Sequence, residues 1–401
     1  MTLYDALVVG AGPSGSASAL TLVRAGWSVA IVEKSAFPRR KVCGEFISAT
    51  TLPLLRKLGV GEEFLAQAGP PVREVGLYGG DTILRAEMPR VENSADAYGR
   101  ALGRDHLDTL MLRAAVDAGA HVWQPWTVKT LARGGDGTHV ATLQDGHACT
   151  HVRARLVIAA HGSWERGALP THPAQQRPRA SDLFAFKAHY LDCDLPAGLM
   201  PLLVFPGGYG GMVRTDGGRV TLSCCIRRDM LARCRAVHTG LAAAEAVIAH
   251  LRNSSRAVDT VLGGATIDER WLAAGPIRPG IREFRSDGVF AVGNAAGEAH
   301  PLVAEGISMA IQSAALLCGK LIAESPRLSC DRAIAELAQA YRADWRSNFS
   351  RRVHAAAFFA QIATRPVTAQ LATALLERVP SLLTCGAYVA GKSQLAPTAA
   401  S

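Results

Sequence analysis

Nowhere do the nine cysteines of this 401-residue chain form a CxxC pair. Only Cys224 and Cys225 are adjacent and the rest are scattered, so the sequence predicts reduced thiols, with no zinc site, other metal site or disulfide framework. Aromatic residues make up only 6% of the chain, and no basic run is interleaved with them. The net charge of +9 therefore does not read as a nucleic-acid footprint. Its arginines are spread along the chain and concentrate only at Pro38-Arg39-Arg40-Lys41 and around Arg227, Arg228, Arg233 and Arg235, the second group marking a solvated helix start. The spread charge suits attraction of phosphorylated cofactors or of an acidic electron donor. No apolar run reads as long enough to cross a bilayer, and three residues before Tyr4 leave no room for a signal peptide. A cytoplasmic protein without a transmembrane segment is expected.

What is present begins at Tyr4-Asp-Ala-Leu-Val-Val-Gly10-Ala11-Gly12-Pro13-Ser14-Gly15, followed by a helical stretch and Val29-Ala-Ile-Val-Glu33. This is a dinucleotide-binding βαβ unit. Gly10 makes the tight turn, Gly12 lets the backbone approach a diphosphate, and Gly15 lets the helix pack closely on the strand. The helix N-terminus, opened by Pro13 and Ser14, favours an anion through its unpaired N–H groups and dipole. Glu33 closes the second strand, where a carboxylate accepts hydrogen bonds from ribose hydroxyls and repels a 2′-phosphate, favouring FAD or NAD over NADP. Lys34 and Arg40 are further candidate cofactor contacts, the basic run being suited to hold a diphosphate.

A second segment runs from Asp287 through Val-Phe-Ala-Val-Gly293-Asn294 to His300-Pro301-Leu302 and Glu305-Gly306-Ile307, a short strand, a glycine-containing loop and a helix start. It resembles the flavin-side signature of the superfamily of flavin-dependent aromatic hydroxylases (group A flavin monooxygenases), geranylgeranyl reductases and flavin-dependent halogenases. The resemblance implies FAD. It places Gly293 and Asn294 at the ribityl chain, with Asn294 where that superfamily usually has Asp, and turns the helix that opens at Gly306 and Ile307 toward the flavin pyrimidine edge. Tyr98-Gly-Arg-Ala-Leu-Gly-Arg104 matches the superfamily's arginine pattern, implying that Arg104 contacts the cofactor and Val128 lies beside the adenine. The likeness covers about residues 4 to 322.

The fold class implied is α/β. A Rossmann-like FAD-binding domain of glutathione-reductase type, residues 1–181 and 276–325, is interleaved with an antiparallel β-sheet substrate domain, 182–275. A helical region, 326–390, and a disordered tail, 391–401, follow. Strand patterns at Leu183–Tyr190, Leu202–Arg214 and Arg219–Ile226 support the sheet. In the helical region Tyr341, Trp345 and Phe349, four apart, read as one buried stripe.

Within the superfamily, Val42-Cys43-Gly44-Glu45 and Pro301-Leu302-Val-Ala-Glu305-Gly306-Ile307 resemble segments of geranylgeranyl reductases. The halogenase Trp-x-Trp-x-Ile-Pro motif is missing, and Arg73-Glu74 stand where a halogenase lysine is expected. Candidate catalytic residues are His300, beside the ring-contacting Pro301; Glu45, a proton donor if burial raises its pKa; and Cys43, a thiol or a small packed hydrophobe. Tyr209 and Gly210 are expected to border the substrate. His161-Gly162 replaces the usual Asp-Gly, which argues for slow direct reduction by NAD(P)H and for electrons from a flavin reductase or ferredoxin. The expected reaction is hydroxylation of a small apolar aromatic or polyketide-like substrate of secondary metabolism. Alkene reduction on a prenyl or lipid chain is the alternative, with halogenation and plain electron transfer behind it.

Overall fold

A computed structural model describes residues 2–92, 94, 96–163, 167, 169–172, 177–282, 288–325, 328 and 330–392. Asp287, Pro326 and the tail from 393 onward lie outside the described residues. Two seven-stranded sheets organise the molecule. The first has Leu3–Val9 at its centre, parallel to Val29–Val32 on one side and to Ala148–Ala159 on the other, with His121–Trp123 outside Val29–Val32. Ala148–Ala159 is long enough to change partners. Its second half pairs in parallel with Val289–Ala291, and its first half pairs antiparallel with His139–Asp145, which continues to Thr127–Arg133. The central segments Ala6–Val9 and Leu156–Ala159 are buried throughout, as continuous apolar runs in a parallel sheet covered on both faces must be.

The second sheet runs in the order Thr266–Ile277, Leu183–Leu191, Val220–Arg227, Gly208–Arg214, Leu199–Phe205, Glu74–Gly79, Thr82–Glu87. Its last two strands come from the part of the chain expected to serve the cofactor, and Glu74–Gly79 pairs in parallel with Leu199–Phe205. Three helices, Arg228–Val237, Ala243–Ser254 and Arg256–Val261, back this sheet; the first begins at the expected solvated helix start, and the other two fall within the span expected to be sheet. Ala246, Val247, Leu251 and Val258 on those helices bury against Leu203, Leu222 and Ile226 of the strands, so tertiary packing sets the helical state there.

The helix Gly306–Ala323 packs on the first helix, Pro13–Arg24. At 18 residues it is long and apolar enough to cross a membrane, which corrects the expectation that no such run exists. Ile307, Ile311, Ala314, Leu317 and Leu321 are buried in the main core, so a buried helix of a globular fold explains its composition. The 34-residue helix Asp331–Thr364 covers it, and Tyr341, Trp345 and Phe349, each 1% exposed, form the predicted stripe. Burial of such side chains stabilises by about 1.5–3 kcal/mol each. Pro366–Arg378 and Ser381–Val389 follow. The expected disordered tail is corrected at its start. Lys392 is 4% exposed and its ammonium lies 2.7 Å from Glu305 Oε1, an ion pair that holds the chain end to the N-cap of the Gly306 helix.

Candidate active site

A cavity of about 570 Å³ lies between the two sheets, within the usual range for small-molecule sites. On the parallel-sheet side it is lined by Gly10, Gly12, Pro13, Ser14, Glu33 and Lys34, and Arg104 and Val128 face the same space. The glycine turn shows why these residues are small. Gly10 has φ +105°, and a Cβ at Gly15 would stand 1.8 Å from the Gly10 carbonyl oxygen. Gly12 caps the Pro13 helix, and the Glu33 carboxylate braces the turn by accepting hydrogen bonds from the Ala11 and Ser35 amides at 2.9 and 3.0 Å. Ser14 meets the second motif, because a Cβ at Gly293 would lie 2.7 Å from its hydroxyl.

Arg104 opens the helix Arg104–Asp117 and grips Asp108, one turn on, through two hydrogen bonds of 2.7 Å. Arg39 approaches the same Asp108 at 2.9 Å and Glu33 at 3.6 Å. The basic run thus presents Arg39 to the glycine turn. Arg40, the expected contact, borders the cavity but spends its guanidinium elsewhere: it donates to Glu269 at 2.6 Å, to the Asp268 carbonyl at 3.2 Å and to His189 Nδ1 at 2.9 Å. Both terminal nitrogens of Arg40 are thus engaged by the second sheet, and Arg39 is the arginine of the run that reaches the glycine-turn acid.

Between the sheets, Asn294, Gly306 and Ile307 reach the cavity. The Asn294 side-chain amide donates to Glu298 at 3.0 Å, and the Asn294 backbone carbonyl accepts from Arg282 at 2.9 Å. Burial raises the Glu298 carboxyl. On the antiparallel-sheet side stand Ala185, Met200, Leu202, Tyr209 and Gly210, with Val42, Pro301 and Leu302 beside them, giving that wall an apolar character.

The three catalytic candidates separate. Cys43 lines the cavity, half-buried, packs against the main core and accepts a hydrogen bond from the Glu45 amide at 3.3 Å. His300 does not line the cavity; its Nδ1 stands 3.1 Å from the Tyr209 hydroxyl, and Tyr209 does the lining. Burial lowers His300 to about 4, so its imidazole is neutral at neutral pH and shares a hydrogen bond with the Tyr209 hydroxyl whose direction follows the imidazole tautomer, while burial pushes the Tyr209 phenol well above its ordinary value. Glu45 is 1% exposed, with φ +63°. Its Oε1 meets the Lys187 ammonium and accepts the Arg104 amide at 2.8 Å; its Oε2 accepts from His189 Nε2 at 2.7 Å and from the Thr221 hydroxyl. Burial by itself raises the carboxyl, but Lys187 and His189 outweigh it and hold Glu45 well below the usual carboxylate range. The proton-donor expectation for Glu45 is thereby corrected: it is an ionised hub tying the Cys43 loop, the Arg104 helix and the second sheet together.

Lys187, His189 and Thr221 were not legible as site residues. The one signal for Lys187 and His189 is two polar side chains alternating with Phe186, Ala188 and Tyr190 on an otherwise apolar strand; Thr221, on the neighbouring strand Val220–Arg227, carries none. His161 lines the cavity with its ring stacked on His172 at 4.0 Å and Nε2 2.8 Å from the Thr171 hydroxyl. Burial and His172 lower it to about 3.

A βαβ glycine turn with an acid-braced loop, joined to a second glycine turn and a helix N-terminus across a covered cavity, defines a dinucleotide-dependent flavoprotein fold. Residues 3–353 match the FAD binding domain family, and the chain belongs to that family. The residues present fit the group: Gly12 offers a side-chain-free edge to the cavity beside the Arg104 guanidinium, 3.6 Å from where a Cβ would stand, which suits a diphosphate. Conditioned medium factor receptor 1 of Dictyostelium discoideum is 26% identical over 343 residues, 80% of this chain and 64% of that protein. Menaquinone reductase of Mycobacterium tuberculosis is 34% identical over 166 residues, 40% of this chain and 38% of its own. The chain therefore spans less than two thirds of the length of either relative. Digeranylgeranylglycerophospholipid reductase 1 of Methanopyrus kandleri is 26% identical over 369 residues, 86% of this chain and 87% of that one. Among solved structures, a flavin-dependent brominase shares the fold with TM-score 0.76 at 18% identity, covering 98% and 94% of the two chains. A probable FAD-dependent monooxygenase from Pseudomonas aeruginosa does so with TM-score 0.70 at 20% identity, covering 90% and 97%. The family supplies FAD as the cofactor, and the likenesses of the chain extend to reductases, a brominase and a monooxygenase.

Proposed function

We propose that the protein is a monooxygenase that hydroxylates a small, apolar, phenol-bearing aromatic or polyketide-like substrate. Bound FAD supplies hydride acceptance and oxygen activation; the chain's own residues bind, orient and exclude water. Gly10, Gly12, Pro13, Ser14, Gly15, Glu33, Arg39, Arg104 and Val128 would hold the adenosine diphosphate half, and Gly293, Asn294, Gly306 and Ile307 the flavin half. Lys34 borders the same space.

The observation that carries the reading is the Tyr209–His300 pair. In the tautomer with Nδ1 unprotonated, the neutral imidazole accepts a hydrogen bond from the Tyr209 hydroxyl, which leaves a lone pair of the phenol oxygen to accept one from a substrate hydroxyl in the cavity that Tyr209 lines. A substrate phenol so held has its hydroxyl oriented and its ring enriched in electron density, as hydroxylation requires. A proton donor to carbon, which alkene reduction requires, is poorly served by a phenol raised well above its ordinary value and a histidine lowered to about 4.

Reduction of an alkene in a prenyl or other lipid chain is the second reading, favoured by the reductase relatives, one of them matched over most of both chains. A single experiment separates the two. Chemically reduced holoenzyme is given isotopically labelled oxygen and a panel of alkylated phenols and prenylated quinones, and the products are weighed by mass spectrometry. Incorporation of one labelled oxygen atom into a phenol is expected. Gain of two hydrogens by a prenyl chain under anaerobic conditions, with no oxygen uptake in the aerobic arm, would sink the monooxygenase reading in favour of the reductase.

A further inference from the structure

The last helices leave a broad apolar face in solvent. The helix Pro366–Arg378 contains no buried residue, and Val367, Leu371 and Leu375, each four residues apart, are 69%, 67% and 54% exposed. That spacing sets them on one side of the helix. The face continues through Phe358 on the preceding helix and through Leu382, Tyr388 and Val389 on the next. Scattered single apolar residues need no explanation, but a run of this size across three consecutive helices does. The opposite side of the same helices is well used: Leu376, Leu383 and Ala387 pack in one cluster with Met200, Leu202 and Ala304, which line the cavity.

Charge selects the occupant. Arg351, seven residues before Phe358, is exposed on the same side of its helix, and Arg365 and Arg378 are exposed at the two ends of the Leu371 helix. The one acid between residues 351 and 392, Glu377, accepts a hydrogen bond from the Thr82 hydroxyl. Two copies of this chain meeting symmetrically through the face would set arginine rims against each other, which like-charge repulsion opposes. A bilayer surface with anionic headgroups supplies both needs at once, hydrocarbon for the leucines and negative charge for the arginines.

We propose that the face built by Phe358 and residues 366–389 docks on an anionic lipid surface and lays the apolar wall of the cavity one helix thickness, about 10 Å, from the membrane. The inference stands whether the flavin chemistry is oxygenation or reduction, because it uses only the outer surface. Holoenzyme is sedimented with vesicles of phosphatidylglycerol and phosphatidylcholine and with vesicles of phosphatidylcholine alone, beside the doubly substituted Leu371→Glu, Leu375→Glu protein. Both positions are exposed, so the variant keeps its FAD and its unfolding midpoint. Expected are binding to the anionic vesicles that weakens with salt, and a loss of about tenfold or more in the variant. No binding to anionic vesicles, equal binding by the variant, or a dimer in solution that the variant splits would each overturn the proposal.

Discussion

Replacing Lys187 by methionine keeps most of the side-chain volume and deletes the ammonium that faces Glu45. Both side chains are 0% exposed, so the carboxylate keeps only His189, the Thr221 hydroxyl and the Arg104 amide as partners. Removing one member of a buried ion pair costs about 3–5 kcal/mol, because the other is left uncompensated. Urea unfolding of the holoenzyme at fixed excess FAD and about pH 7 should show a loss of that size. The pH dependence carries a second signature. In the parent protein the Glu45 carboxyl is lowered from its ordinary 4.5, so its contribution is complete above that value and is lost as the pH falls below it toward the folded-state value. In Lys187→Met, burial becomes the stronger influence, Glu45 binds a proton at higher pH than in the unfolded chain, and the gap from the parent narrows on acidification from about pH 7 to about pH 5. A variant within about 1 kcal/mol of the parent at neutral pH, with a gap that does not change on acidification, would refute the assignment of Glu45 as an ionised hub.

Gly12→Val places a branched side chain in the diphosphate's space at a position whose φ of −72° any residue can adopt, so FAD content should fall to near zero with the far-ultraviolet circular dichroism unchanged; full FAD occupancy would count against the site. Tyr209→Phe and His300→Ala should each lower turnover by about 10²-fold or more at unchanged FAD content. In the parent, the rate should be flat around neutral pH and fall as the pH drops through about 4, and His300→Ala should lose that acid limb. With His161 packed on His172 and lacking the usual acid, stopped-flow reduction by NADPH or NADH alone should be slow; reduction at ordinary enzymatic rates without a partner protein would show this wrong.

Local chemistry made a large part of the molecule legible in the sequence. Gly10, Gly12 and Gly15 between an apolar strand and a helix, with Glu33 closing the next strand, specify a dinucleotide turn, because at Gly10 and Gly15 no other residue fits where a Cβ would strike the backbone. The second glycine turn at Gly293 and the helix at Gly306 read the same way, as did the Tyr341, Trp345 and Phe349 stripe, whose period of four is a property of the helix alone. These signals are short in range and needed no partner to be read.

What lay beyond the sequence is what depends on distant segments meeting. Strands 74–87 join a sheet otherwise built after residue 183, a choice made by which edge Leu199–Phe205 leaves open. Arg39, and not its neighbour Arg40, turns to the glycine loop, because His189 and Glu269 capture Arg40 from across the fold. Glu45 reads as a proton donor when only its burial is considered. Only the folded chain brings Lys187, more than a hundred residues away, against it, and the attraction of that charge outweighs desolvation and reverses the direction of the pKa. His300 likewise has its access decided by Tyr209, which stands between it and the cavity. By itself the sequence determined which backbone turns take the form a dinucleotide requires, since backbone sterics are local; the tertiary structure decided which side chains are charged, paired or exposed beside them, since electrostatics and desolvation depend on every neighbour in space.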